Sequence, residues 1–186
     1  MGLILVVPPD GPPRPVGRRI GSGPRPVDAE DRLEEAKELG RSFAMRGVVM
    51  HAPGDVRVED REQPQIVEPT DAIIEVAAAC ICGSDLWPYR GLEPADSRPM
   101  GHEYVGTVTE VGSAVKNVKP GDFVVGSFCV SDDTCEICRS GYQSRCVNGG
   151  FMSDTQAQYT RVPQADGTLV AVPGGRPDDE ATVASL

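Results

Sequence analysis

Residues 101–115 read GHEYVGTVTEVGSAV, and this stretch says most about the fold of the 186-residue chain. It opens with His102 and Glu103, which place an imidazole beside a carboxylate. Its three glycines suit a sheet that has to bend, or one that lets backbone pass close to a metal site. The β-branched residues between the glycines favour a strand. The stretch therefore predicts a β-structure that carries a metal-binding histidine.

A second motif lies twenty residues upstream, where residues 82–86 read CGSDL. The thiolate of Cys82 and the imidazole of His102 are ligands that a catalytic zinc prefers. Each has a carboxylate close by in the sequence, Asp85 or Glu103, that is able to orient it. A lone cysteine or histidine is more often an ordinary core residue. The two motifs together predict a catalytic zinc centre.

The remaining cysteines form a third pattern. Cys135 and Cys138 make a C-x-x-C pair, and Cys146 follows eight residues later. In a chain without an export signal, such spacing indicates a metal site before a disulfide framework. A redox pair would need a helix N-terminus and a βαβ context, and neither is evident. Cys80 is expected in the core, and His51, the only other histidine, is expected to be incidental.

The charge of the chain excludes two classes of partner. The net charge is −10, and residues 1–44 balance seven basic against seven acidic side chains, so all the excess acid lies in residues 45–186. Such a surface repels the phosphates of nucleic acids and anionic lipids. No apolar run approaches the roughly 18 residues that span a membrane, and no targeting signal is evident. We therefore expect a cytoplasmic protein that binds neither nucleic acid nor membrane.

Short β-branched runs separated by glycine- and proline-containing turns fill the chain from residue 45 onward. The 21 glycines and 17 prolines make up about a fifth of the sequence, which favours turns over long helices. Many short strands with such turns predict a mainly β protein, a small barrel or sandwich. The predicted strands are residues 46–50, 55–59, 72–79, 104–111, 123–128, 158–162 and 168–172.

The first 44 residues have a different composition. Residues 1–26 hold seven prolines and five glycines, which predicts a disordered tail without a helix or a paired strand. Residues 28–39 are predicted to form a marginal helix with Asp28 as its cap. We interpret residues 1–44 as a lineage-specific extension or as the product of a wrongly chosen start codon, and composition favours the second.

From about Met45 to the last residue, the chain resembles the zinc-dependent alcohol dehydrogenases of the medium-chain dehydrogenase/reductase superfamily. Residues 101–115 match that family's zinc signature, GHE-x2-G-x5-G-x2-V, at every fixed position. The resemblance implies a GroES-like catalytic barrel at residues 45–176 with a zinc-binding lobe at residues 129–147. It also implies that residues 177–186 begin the connection to a nucleotide-binding domain, whose G-x-G-x-x-G motif is missing from this sequence.

The resemblance implies roles for the residues of the two catalytic motifs. Cys82 and His102 are two zinc ligands, and the third would lie beyond the last residue. Glu103 is a neighbour or occasional ligand of the metal. Asp85 accepts a hydrogen bond from the imidazole, and Ser84 takes the proton of the substrate.

One position departs from the family pattern. Many relatives continue the proton relay to a histidine three residues after the hydroxyl of the Ser84 position, and this chain has Trp87 there. The proton must therefore leave through water, a ribose hydroxyl or another exit. The indole is also expected to narrow or reshape the substrate pocket.

The lobe departs from the family pattern at one ligand. The family's structural zinc uses four cysteines spaced C-x2-C-x2-C-x7-C, and here Asp132 takes the first position before Cys135, Cys138 and Cys146. Aspartate oxygen also binds zinc, so a site with one aspartate and three cysteines is our preferred interpretation. Cys129, three residues early, is the alternative fourth ligand. A redox pair and three free thiols are the alternatives without zinc.

The resemblance implies an enzyme that interconverts an alcohol with an aldehyde or ketone by zinc-assisted hydride transfer to NAD or NADP. Its partner is a small molecule, and the full-length parent is expected to be a homo-oligomer. This chain alone is expected to be inactive, because the cofactor domain is absent from it. The alternative is a non-enzymatic zinc-binding GroES-like module, or the remnant of a truncated gene.

Overall fold

Strands of two to nine residues and single-turn helices form the described part of the chain. The structure, a computed structural model, describes residues 4–6 and 44–186. The strands are β1 Ile4–Val6, β2 Ala44–Ala52, β3 Asp55–Glu62, β4 Ala72–Cys80, β5 Arg98–Pro99, β6 Tyr104–Val111, β7 Phe123–Gly126, β8 Cys129–Val130, β9 Gly150–Phe151, β10 Tyr159–Val162 and β11 Leu169–Ala171. The helices are α1 Leu86–Tyr89, α2 Glu136–Arg139, α3 Ala165–Thr168 and α4 Glu180–Val183, with 3-10 turns at Gly83–Asp85 and Gln143–Arg145.

Two antiparallel sheets build the barrel. The larger has the order β1-β4-β6-β7-β11, with β10 also pairing with β4. The smaller has the order β3-β2-β5, and a bridge between Gly47 and Ala157 joins β2 to the segment before β10. Each of the seven strands predicted from the sequence overlaps an observed strand, and the predicted mainly β class is confirmed.

The core centres on β4, the strand with the most neighbours. It reads AIIEVAAAC and is buried at every position but Glu75 and its last residue. It is a central strand, paired with β6 along one edge and with β10 and β1 along the other, and its side chains are buried on both faces. A continuous apolar run is what such a strand requires. Ile74 within β4 is fully buried, as are Val124 and Val162 in neighbouring strands, and Val108 is almost so.

The N-terminus requires a correction. Ile4–Val6 pairs with β4 in the register Ile4↔Cys80 to Val6↔Ala78, so the prediction that residues 1–26 hold no paired strand is wrong at these three residues. They are apolar, have strand-forming side chains, and precede the first proline, so every backbone N–H in them is able to pair. The predicted disorder of the rest of this segment and the predicted helix at 28–39 fall in residues 7–43, outside the described part of the chain.

The helices are all short. Within residues 44–186 none of them is long and apolar enough to cross a membrane. The longest loops lie between β4 and β6 and between β8 and β9. These two loops carry the sequence motifs that predicted metal sites.

Candidate metal centres

Antiparallel pairing brings Cys82 and His102 together. The pairing of β4 with β6 sets Ala79 opposite Tyr104. Cys82 follows the end of β4, and His102 lies just before the start of β6. In an antiparallel pair those two positions leave the sheet at the same edge. The barrel therefore converts a separation of twenty residues into spatial proximity.

The side chains of Cys82, His102 and Glu103 converge at this edge. One ligand atom from each, a sulfur, a ring nitrogen and a carboxylate oxygen, lies within 4.8 Å of the others, and all three residues are half-buried. Every cysteine of the chain is free, so the Cys82 sulfur is not consumed by a disulfide. A sulfur, a nitrogen and an oxygen at this spacing suit a zinc ion. We refer to these three residues as the edge cluster.

Asp85 supports the edge cluster mainly through the backbone. Its Oδ2 accepts a hydrogen bond from the N–H of Cys82 at 3.0 Å, and its own N–H donates to the Cys82 carbonyl at 3.1 Å. This reciprocal pair closes the tight turn that aims the Cys82 side chain. Asp85 Oδ1 lies 3.8 Å from His102 Nδ1, which is too long for a hydrogen bond. The hydrogen bond from imidazole to Asp85 therefore stays a prediction.

Ser84 lies next to the other ring nitrogen. Its Oγ is 3.3 Å from His102 Nε2. Both residues line an open cavity of about 500 Å³. The hydroxyl is thus positioned to meet a small molecule that approaches the edge cluster from the cavity.

Apolar side chains form most of the remaining cavity wall. Phe128 contacts the His102 ring edge-on at a centroid distance of 6.2 Å, and Phe151 stacks on Phe128 at 5.8 Å. Trp87 also lines the cavity and is 51% exposed; that its indole narrows or reshapes a substrate pocket stays a prediction. The other apolar residues of the wall are Met50, Pro99, Met100 and Met152.

The lobe brings its four predicted ligands together. One ligand atom each from Asp132, Cys135, Cys138 and Cys146 lies within 4.8 Å of the others. The sulfurs of Cys135 and Cys146 are 4.0 Å apart. A zinc tetrahedron with Zn–S bonds of about 2.3 Å has edges of about 3.8 Å, so the spacing fits zinc. Cys129, the alternative ligand, is buried in β8 and is not a member of this group.

Backbone N–H groups surround the lobe ligands. Asp132 Oδ1 accepts from Thr134 and Cys135 at 2.9 and 3.0 Å, and its Oδ2 accepts from Asn148 at 2.7 Å. The Cys135 N–H is the leading cause that holds the pKa of the Asp132 carboxyl far below its usual value. The N–H of Cys138 donates to the Cys135 sulfur at 3.4 Å and lowers the pKa of that thiol. These bonds favour the ionised forms that a metal binds.

Cys138 is the buried member of the lobe group. Desolvation, together with a smaller effect of hydrogen bonding with Cys135, raises the pKa of its thiol to about 12. A metal cation reverses that effect, because a coordinated thiol loses its proton outright. The four side chains therefore suit a cation better than they suit four protonated groups.

Two other residues complete the outcome of the sequence predictions. His51 pairs with Glu59 at 2.7 Å and with Ser97 at 3.1 Å, away from both clusters. Cys80 is half-buried and its sulfur is outside the edge cluster, while burial and then Glu103 raise the pKa of its thiol.

Sequence reasoning missed the contacts of Asn148 and Gln156. Each reaches its partner across a long sequence separation, 16 residues to Asp132 and 76 residues to Cys80. Asn148 lies next to the glycine pair that ends the lobe, and that position is the only local signal for its role. Nothing in the sequence around Gln156 marks its contact.

Comparison with known proteins places the chain in a family. The model of the alcohol dehydrogenase GroES-like domain matches residues 68–174. A zinc-type alcohol dehydrogenase B of Aspergillus flavus is 43% identical over 137 residues, which cover 70% of this chain and 32% of that protein. A medium-chain reductase/dehydrogenase of Acremonium sp is 42% identical over 142 residues, which cover 73% of this chain and 49% of that protein.

Solved structures agree with the sequence comparison. An alcohol dehydrogenase from Thermus sp. ATN1 has a TM-score of 0.65 and 36% identity, and the match covers 69% of this chain and 40% of that one. The predicted GroES-like barrel is thereby confirmed. Other solved relatives hold NADH or NADP, so zinc and a nicotinamide cofactor serve this family.

The chain spans a third to a half of the length of these relatives. The matched part contains the signature at residues 101–115 and both groups of candidate ligands. The chain belongs to the alcohol dehydrogenase GroES-like domain family, within the zinc-dependent oxidoreductases of the medium-chain superfamily.

Proposed function

We propose that the chain is the catalytic-domain part of a zinc- and NAD(P)-dependent alcohol dehydrogenase, which interconverts an alcohol with an aldehyde or ketone. The observation that carries the proposal is the edge cluster, where ligand atoms of Cys82, His102 and Glu103 lie within 4.8 Å of one another beside a cavity of about 500 Å³. The cavity is large enough for a small alcohol.

Cys82 and His102 would hold the zinc, with Glu103 as a neighbour or occasional ligand. Zinc bound there supplies Lewis acidity, which lowers the pKa of an alcohol as it lowers that of water. Asp85 keeps the Cys82 turn closed through its hydrogen bond to the Cys82 N–H. With zinc bound, these residues would hold the alcohol oxygen at this edge of the barrel.

Ser84 is the proposed acceptor of the alcohol proton. Its Oγ faces the cavity and lies 3.3 Å from His102 Nε2. A hydroxyl at that distance is able to take a proton and pass it on. The next position of the relay holds Trp87, whose indole N–H accepts no proton. The proton would therefore leave through water, a ribose hydroxyl of the cofactor or another exit.

The lobe has a structural role in this proposal. Asp132, Cys135, Cys138 and Cys146 would form a closed four-ligand zinc site, which leaves no position open for substrate. Residues 132–149 bury little apolar surface, with Cys138 as their one buried residue. Metal binding is therefore expected to supply the free energy that orders this loop.

Metal analysis of the purified chain tests the proposal. We expect two zinc ions per chain, one of which is lost in Cys82→Ser. Cys80→Ser is the matched control, because Cys80 lies two residues away and is outside the edge cluster. It should keep both ions. A wild-type chain with one zinc, bound by the lobe alone, would instead support the non-enzymatic zinc module.

Alcohol binding gives a second test on the same chain. Trp87 is the only tryptophan and lines the cavity, so its fluorescence reports on ligands there. We expect a small apolar alcohol to change this fluorescence in the zinc-loaded chain and much less in Cys82→Ser. In a polypeptide that also contains a nicotinamide-binding domain, Cys82→Ser should abolish hydride transfer to both NAD and NADP. Equal activity of that variant would contradict the proposal.

A further inference from the structure

We propose that Gln156 is a positioning residue that fixes the distance between the Cys82 segment and the His102 segment. The inference rests on the proposed metal site at the edge cluster. Gln156 is 4% exposed and touches neither Cys82 nor His102 through a hydrogen bond. It acts through the two backbone segments that carry them.

The side chain of Gln156 holds the first segment. Its Nε2 donates a hydrogen bond to the Cys80 carbonyl at 3.1 Å. That carbonyl lies two residues before Cys82, where the chain leaves β4. The N–H of Cys80 donates a hydrogen bond to the Glu103 carbonyl at 3.2 Å. Cys80 is thereby held from both sides, and the course of the chain toward Cys82 is fixed.

The backbone of Gln156 holds the second segment. Its N–H donates to the Met100 carbonyl at 3.0 Å, two residues before His102. The N–H of Thr155 donates to the Gly101 carbonyl at 3.2 Å. Residues 155–156 therefore bind the backbone that precedes His102 through their own N–H groups. The side-chain amide of Gln156 binds the backbone that precedes Cys82.

The approach at Gly101 is too close for any other residue. Its φ is +99°, and an added Cβ would lie 2.4 Å from the Gln156 nitrogen. A real Cβ contact is never that short, and a φ in this range is strained for residues other than glycine. The turn into His102 is thus packed directly on Gln156, which leaves it no freedom to adjust if Gln156 moves.

Gln156 is itself anchored to the second sheet. Its carbonyl accepts a hydrogen bond from the Val48 N–H at 2.8 Å, and Val48 belongs to β2. The residue therefore transfers the position of the smaller sheet to both segments of the edge cluster. Losing the side-chain donor would leave the Cys80 carbonyl without this partner while the backbone bonds remain.

Residues that orient metal ligands from outside typically change metal affinity about 10–100-fold when they are replaced. We expect a loss in that range for Gln156→Met, which keeps the length of the side chain but removes the donor. Gln156→Asn is a milder second variant, because it keeps an amide that is one methylene too short to reach Cys80. Both should weaken metal binding at the edge cluster.

Gln158→Met is the matched control. The Gln158 Oε1 accepts a hydrogen bond from the Arg46 N–H at 2.8 Å, away from both ligand segments. This variant loses a hydrogen bond between side chain and backbone that resembles the one of Gln156, at a position two residues later in the sequence. It should bind metal like the wild type.

The experiment is a titration of the purified, metal-free chain with Co²⁺, followed by the visible absorption of the bound ion. Cys82→Ser records the lobe site alone, and the difference from the wild type isolates the edge cluster. In both Gln156 variants, we expect the Cys82-dependent absorption to shift in position and to saturate at a 10–100-fold higher Co²⁺ concentration. The lobe absorption should be unchanged, which shows that the variants are folded.

Two results would overturn the inference, and they are distinguishable. A wild-type chain with no Cys82-dependent Co²⁺ absorption would overturn the proposed metal site together with the role of Gln156. A wild type that shows this absorption, with both Gln156 variants matching it in affinity and spectrum, would leave the metal site standing and overturn the positioning role alone.

Discussion

The barrel and the lobe are stabilised by opposite means. Ile74, Val108 and Val124 belong to a continuous apolar core around β4, so the barrel is held by burial of apolar surface. Residues 132–149 have one buried residue, Cys138, and are held by hydrogen bonds and by the convergence of four ligands. One region has a core and the other has a candidate metal site in its place.

The two candidate metal sites therefore differ in their relation to the fold. The edge cluster depends on the barrel for its geometry, whereas the lobe depends on its metal for its folding. The edge cluster directly adjoins the ends of two paired core strands, β4 and β6, so the barrel presents preorganised candidate ligands. The lobe has no comparable packing, and its fold is expected to follow its metal. Removing the metal should therefore affect the two regions very differently.

The largest expected effect is loss of the lobe in Cys138→Ser. The change removes a zinc ligand. It should lower the zinc affinity of the lobe by more than about 100-fold, which is the upper end of the loss seen when only a residue that orients a ligand is replaced. Residues 132–149 should become sensitive to protease while the barrel keeps its urea midpoint. Cys129→Ser tests the alternative ligand, and it should change neither the protease resistance of residues 132–149 nor the urea midpoint of the barrel. Zinc loss in Cys129→Ser and not in Asp132→Ala would make Cys129 the fourth ligand in place of Asp132.

The next effect belongs to the barrel. Ile74 is fully buried, and Ile74→Ala should lower the free energy of unfolding by about 2–5 kcal/mol. Urea unfolding followed by circular dichroism measures it. Val170 is 69% exposed on β11, so Val170→Ala is the control and should change stability by less than about 0.5 kcal/mol. A similar loss in both variants would contradict the placement of the core.

A smaller effect is expected for Asn148→Ala in the lobe. The variant removes the hydrogen bond from Asn148 to Asp132 Oδ2 and should weaken lobe zinc binding about 10–100-fold, as read by competition with a colorimetric chelator. Asn117→Ala is the control, because its side chain bonds the Asp166 carbonyl instead. Unchanged affinity in Asn148→Ala would show that zinc binding by Asp132 does not depend on the Asn148 hydrogen bond.

The smallest effects are expected where a region has neither core nor metal contact. Val58 is 55% exposed on β3 and Tyr142 is 65% exposed in the lobe. Val58→Thr and Tyr142→Ser should each change stability by no more than about 0.5 kcal/mol. Differential scanning calorimetry of both variants is sufficient. A large loss in either would mean that its surface is covered in the protein.

The sequence predicted the barrel well because its strands are long enough to show a pattern. The run at 104–111 has β-branched residues throughout and clear turn signals on its C-terminal side, and it became β6 with the same bounds. β5, β8 and β9 have two residues each, and no periodicity exists in two residues. β1 was missed because the prolines of residues 8–26 dominated the composition of the whole tail.

The candidate sites were predictable where ligand spacing is local or follows a known motif. Asp132 was found from its register with three cysteines, and the structure groups it with them. Gln156 was not, because its contact to Cys80 spans 76 residues and depends on how two sheets meet. Asn148 was missed for the same reason. Such partners come from tertiary packing, which sequence patterns do not encode locally.

The most direct test of the central claim is a crystal structure of the zinc-loaded chain with anomalous diffraction at the zinc edge. We predict two zinc peaks. One should lie about 2.3 Å from the Cys82 sulfur and about 2.0–2.1 Å from a His102 ring nitrogen, facing the cavity, and the other should lie among the four lobe ligands. A single peak in the lobe, with no zinc between Cys82 and His102, would contradict the claim.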